Sequence, residues 1–307
     1  MHVDTAVAAA PSLAVRSSGV LATLAVLFKL RVVSLLLVAS CGGAVLAAGG
    51  WPGAGPLLLV AATGGLAAAG SGALNQVLER KRDALMQRTA SRPLVIGGFL
   101  SAGRVTALAL LMIFVPAVLV LPSNRALSLF VWLGAAIYVG VYTLWLKPRT
   151  LLNIVIGGAA GSAAVLSGSA AAGNWGDPGA VTLALLVFLW TPTHFWSLAL
   201  VYRDDYAAGG IPMLPTRVSG RSAVLWIMAH TVPTALAGIA LAAHPVLGYV
   251  YLLPITVASV YMIVRNLQLL QDHGRPAALG FFKYSNIYLA LIVLMIFIDA
   301  VQPFAKV

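Results

Sequence analysis

Charge and cysteine are both scarce in this chain, and each scarcity excludes a class of protein. Asp, Glu, Lys and Arg make up 9% of the 307 residues against a hydrophobic share of 61%, whereas a soluble globule is about 45–50% apolar. With a mean hydropathy of +0.97, the chain is expected to be a polytopic membrane protein. The sole cysteine, Cys41, excludes an internal disulfide framework and a cysteine metal cluster. The first 28 residues carry Asp4 and a single arginine, unlike an Arg-rich mitochondrial presequence, and no signal-peptide cleavage pattern follows. A bacterial inner membrane is the simplest address. No DNA- or RNA-binding module is visible, so the net charge of +11 is read as topology and attraction to anionic lipid headgroups, with no nucleic acid as partner.

What the chain does have is long apolar runs. Nine are long enough to cross a hydrocarbon core: 33–50, 56–76, 103–121, 127–146, 151–171, 179–201, 222–242, 246–264 and 281–301. The expected fold is therefore an all-α integral membrane bundle of nine transmembrane helices, one domain over 33–307. Residues 1–32 form a tail and an interfacial segment, since the apolar stretch Val20 to Leu30 is short and interrupted by Lys29. Placing the N-terminus in the cytoplasm and the C-terminus outside leaves only Arg125 and Lys306 of the 19 basic residues on the outer side.

The few acids are clustered. Asn75, Glu79 and Asp83 recur at i, i+4 and i+8, so on a helix they share an arc of roughly 80° and a rise of about 12 Å. Such oxygens suit a hard divalent cation such as Mg²⁺. Arg80, Lys81, Arg82, Arg88 and Arg92 follow within one loop and offer phosphate donors; the bland alternative is a solvated, positive-inside loop. A second group, Tyr202-Arg203-Asp204-Asp205-Tyr206, ends the sixth run. The spacing suggests two four-helix halves plus a ninth helix, with two carboxylate clusters facing one another across a cytoplasm-facing cavity. His194, Leu198, Val201 and Asp205 fit one continuous helix face, which aligns His194 with the acidic mouth. The small residues Gly157 to Ser162 and Gly168 are read first as tight helix packing, and second as room for a bulky ligand.

These strings together resemble the haem-farnesylating members of the UbiA family of intramembrane prenyltransferases. The resemblance rests on Phe28 to Arg31, Asn75 to Asp83 with Met86 to Thr89 and Arg92 to Leu94, Tyr142 to Lys147, Asn153 to Ala160, Trp190 to Trp196, and Asp205 to Pro215. Departures fall at Leu30, Glu79, Lys81, Arg82, Ala163 to Val165 and Thr193. The resemblance implies transfer of farnesyl from farnesyl diphosphate to a vinyl group of haem b, with addition of water to give haem O. It implies Mg²⁺ as cofactor, haem b as substrate rather than prosthetic group, and a haem A synthase as a potential partner.

Under that resemblance Asn75, Glu79, Asp83 and Asp205 are assigned to Mg²⁺ and catalysis, with Asp204 a weaker ligand. Lys147, Arg88, Arg92 and Arg203 are assigned to the diphosphate. His194 and Tyr202 are assigned to the haem side; His194 as an iron ligand, or as a group that orients water or a propionate, and Tyr206 as an interface anchor. Rival readings are a polyprenyltransferase acting on a quinone precursor such as 4-hydroxybenzoate, a secondary transporter, and a non-enzymatic haem carrier.

Overall fold

A computed structural model describes residues 19–97 and 101–301. The tail through Ser18 and Lys306, which is expected on the outer side, lie outside the described residues. Among the described residues every regular element is helical, and nine helices are long and apolar enough to cross a membrane: Leu30–Ala47, Ala54–Asp83, Ala102–Val120, Arg125–Leu146, Asn153–Ala171, Pro178–Val201, Gly220–Ala243, Tyr249–Gln271 and Arg275–Ala300. They are called the first to ninth spans below. Without water in a bilayer core, backbone N–H and C=O groups must pair within each segment, and the helix does this.

The expected runs and the observed helices differ at their polar ends. The second span continues past 76 to Asp83, the eighth past 264 to Gln271, and the ninth begins at Arg275 rather than 281. Hydropathy stops where charge begins, but the i to i−4 ladder does not. The first span starts at Leu30, after a short helix Val20–Leu27. The turn between them rests on Lys29, a non-glycine residue at φ 50°, a conformation that costs on the order of 1–2 kcal/mol and that its contacts must offset.

The sixth span is central, packing on the first, fifth, seventh and ninth. Close approach of the first and fifth spans comes from small residues: a Cβ on Gly43 would stand 2.5 Å from the Val165 carbonyl oxygen, and one on Gly168 would overlap the Ser40 carbonyl. Ser40 Oγ donates to the Ala164 carbonyl at 2.6 Å across the same seam. The tight-packing reading of the fifth span therefore holds at Gly168. At the end of the bundle away from the acidic clusters, Asp177 accepts from Ala180 N and pairs with His244, and Asp299 accepts from Gly248 N and Tyr251 N. These two acids cap backbone rather than line the site.

Two stretches depart from α geometry. Ala61–Gly65 and Ala136–Leu146 are π-helical, a rare winding that recurs at functional positions. In the fourth span it brings Tyr138 and Tyr142 into a stack at 5.7 Å and turns Thr143 and Lys147 towards the second span.

One expectation is corrected. His194 and Asp205 do not share a continuous helix face: the sixth span ends at Val201, Tyr202 departs to φ −116°, ψ 34°, and a separate helix runs Arg203–Ala208. The periodic pattern crosses a break that side-chain spacing cannot reveal.

Candidate functional site

The oxygen-donor face of the second span is buried, with Asn75 1%, Glu79 4% and Asp83 1% exposed, and each of the three holds a cation from elsewhere in the chain. Lys29 Nζ donates to Asn75 Oδ1 at 2.6 Å and to the Tyr138 hydroxyl at 2.9 Å. Lys147 Nζ lies 2.6 and 2.7 Å from the two Glu79 carboxylate oxygens. Arg92 Nη1 donates to Asp83 Oδ2 at 2.5 Å. Asn75 Nδ2 in turn donates to Thr143 Oγ1 at 3.0 Å, which fixes the amide so that its oxygen faces Lys29. Buried carboxylates persist only when paired and hydrogen-bonded, and these pairings supply that.

Lys29, Tyr138, Tyr142 and Thr143 complete this group although sequence reasoning gave none of them a site role. Gln76 Nε2 anchors the turn before Lys29 by donating to the Val26 and Leu27 carbonyls. Burial, followed by the nearby Arg92 charge, pulls the Lys29 ammonium down to about 7, with Glu79 opposing. A lysine set in an apolar stretch, within the Phe-Lys-Leu-Arg string, is the signal the sequence offers.

Asp205 is placed differently from the expectation. Its two carboxylate oxygens accept from Gln87 N and Arg88 N, both at 3.1 Å, so it fastens the loop after the second span onto the helix after the sixth. Met86 is buried beneath that loop and touches Gly209, and Thr89 Oγ1 donates to the Asp83 carbonyl. Arg88 lies over the Tyr202 and Tyr206 rings at 5.2 and 5.6 Å, its Nη2 3.4 Å from the Tyr206 hydroxyl. Tyr206, 5% exposed, is therefore a buried partner of this loop and not an interface anchor. The side chains of Arg203 and Asp204 are exposed and make no hydrogen bond or ion pair among the described residues. Among the described residues no three His, Cys, Asp or Glu side chains converge as a metal cluster.

His194 sits among aromatic rings. Trp190 stacks on its ring at 4.4 Å, Phe282 lies at 4.4 Å and Phe195 meets it edge-on at 5.0 Å. Its Nδ1 shares a 2.9 Å hydrogen bond with Ser285 Oγ, and Trp190 Nε1 donates to the Ser285 carbonyl. The ring is fixed on the seam between the sixth and ninth spans, and its Nε2 has no hydrogen-bond partner among the described residues.

Comparison with known proteins gives a consistent result. A model described as the UbiA prenyltransferase family matches residues 35–287. The chain is 41% identical over 281 residues to protoheme IX farnesyltransferase 2 of Paramagnetospirillum magneticum, covering 91% of this chain and 97% of that one. It is 35% identical over 270 residues to protoheme IX farnesyltransferase of Metallosphaera sedula, covering 88% and 93%. Among solved structures, a digeranylgeranylglyceryl phosphate synthase superposes with a TM-score of 0.77 at 17% identity, covering 92% and 98%. A UbiA homolog from Archaeoglobus fulgidus bound to DMAPP and Mg²⁺ superposes at 0.62 and 16%, covering 89% and 98%.

Proposed function

This chain belongs to the UbiA prenyltransferase family, and from that premise we propose that it moves the farnesyl group of farnesyl diphosphate onto a vinyl group of haem b, with water added, giving haem O and diphosphate. It is an integral membrane prenyltransferase. The observation that carries the reading of the site is the row of three buried oxygen donors, Asn75, Glu79 and Asp83, each facing a cation. Charge asymmetry along the chain supports a cytoplasm-facing site in a bacterial inner membrane, with the nine-helix bundle as one domain after the first 32 residues.

The donor set fits Mg²⁺: carboxamide and carboxylate oxygens are hard ligands, and all three already compensate positive charge in the protein. Asn75, Glu79 and Asp83 would hold it, and when bound it would neutralise charge developing on the departing diphosphate. Lys147, Arg92 and Lys29 stand beside those oxygens, so the same ammonium and guanidinium groups can donate to diphosphate oxygens, an arrangement strongest where water is excluded. The stacked Tyr138 and Tyr142 rings present electron-rich faces, Tyr142 already facing the Lys147 ammonium at 5.4 Å, and suit an allylic cation formed as the diphosphate leaves. The packed helices keep bulk water from that cation until the vinyl carbon meets it. On the haem side we assign His194, whose imidazole is held through Nδ1, to the haem iron through Nε2.

The test is product analysis. Purified protein supplied with Mg²⁺, haem b and farnesyl diphosphate is expected to form haem O by mass spectrometry, and Asp83→Ala to abolish it. Prenylation of a small phenolic acid in place of haem would overturn the reading.

A further inference from the structure

Arg275 opens the ninth span, is exposed, and stands 5.9 Å from the Tyr202 ring. Arg88 approaches the same ring at 5.2 Å. Two guanidinium groups thus crowd one aromatic side chain, and neither forms an ion pair with a carboxylate among the described residues: the pairs present are Asp83–Arg92, Glu79–Lys147 and Asp177–His244. Asp205 meets Arg88 only through its backbone N–H. An anionic ligand with two carboxylates would satisfy both sets of planar donors, which suit carboxylate oxygens.

The position of Arg275 along the ninth span decides which anion. Seven residues on, about 10 Å along the helix and on nearly the same face, stands Phe282, and then Ser285; these are the residues that hold His194. The contacts Arg275–Tyr202 and Phe282–His194 therefore lie on one seam between the sixth and ninth spans. A flat aromatic macrocycle carrying two carboxylate arms on one edge spans such a pair of points. The cations that face the metal-type oxygens, Lys29, Lys147 and Arg92, are already engaged by Asn75, Glu79 and Asp83.

We propose that Arg275, with Arg88 across Tyr202, binds the two propionates of the haem substrate and so sets which edge of the porphyrin reaches the farnesyl donor. This rests on the haem-farnesylating reading above. Its test is a Soret titration of the purified full-length protein with haem b and with haem b dimethyl ester, whose propionates are uncharged. Wild type is expected to bind the free acid roughly tenfold more tightly than the diester. Arg275→Gln should lose that preference, binding the diester as wild type does, with the KM for farnesyl diphosphate unchanged; Arg275→Lys should recover part of it. Equal loss of both haems, a raised KM for farnesyl diphosphate, or an unchanged preference would overturn the proposal. Unchanged diester binding reports that the variant is folded. If wild type binds neither haem and prenylates none, the functional reading itself falls; if wild type forms haem O and Arg275→Gln keeps the preference, only the propionate assignment falls.

Discussion

Replacing Asp205 by asparagine separates two roles that the sequence could not distinguish, metal ligand and loop fastener. In the structure both carboxylate oxygens are engaged by Gln87 N and Arg88 N at 3.1 Å. Asparagine keeps the shape and one carbonyl oxygen, but removes the charge and turns an NH₂ group towards one of the two amides, donor against donor. A hydrogen bond to a charged group contributes about 1.5–3 kcal/mol when buried; both bonds here are exposed, which brings each to about 1 kcal/mol. Losing about 2 kcal/mol shifts the docked-to-open ratio of the loop by up to about 30-fold. Hydrogen exchange followed by mass spectrometry, on peptides covering residues 84–92, is the assay, with the fourth span as internal control. Faster exchange at Gln87 and Arg88 of that order, together with slower farnesyl transfer, is expected. Unchanged exchange with lost activity would refute the reasoning and return Asp205 to the metal.

Three other outcomes are expected. Lys147→Met strands the Glu79 carboxylate, 4% exposed, and should lower stability by about 3–5 kcal/mol, with the Glu79→Gln/Lys147→Met double variant regaining part of it in thermal unfolding; a double variant worse than the single one would contradict the pairing. Gly168→Ala drives a Cβ into the Ser40 carbonyl, an overlap with backbone that costs about 3 kcal/mol or more, and should abolish the monodisperse peak on size exclusion; normal yield would show that the first and fifth spans can part. In chelator-treated protein the Lys29 ammonium, lowered to about 7 by burial, is bound to a proton in the unfolded chain but not in the folded one between about pH 7 and its ordinary range near 10.4. Stability should rise with pH across that window in wild type and stay flat in Lys29→Met, read from tryptophan emission during unfolding; an equal rise in both would exclude Lys29 as the cause.

Apolar run length alone determined the nine spans, because a hydrocarbon core fixes how many residues must be greasy, and the i, i+4, i+8 spacing alone determined that Asn75, Glu79 and Asp83 share a face. Both are properties of a single helix, and a single helix is legible from its own residues. What each of those oxygens touches depended on other helices. The pairing of Lys147 with Glu79 needs a π-helical fourth span, and that of Lys29 with Asn75 needs a left-handed turn. The break at Tyr202, which takes Asp205 off the His194 face and onto a loop 118 residues away in sequence, leaves no mark on hydropathy. Winding and loop docking are chosen by the sum of contacts between segments, so only the tertiary structure decided them.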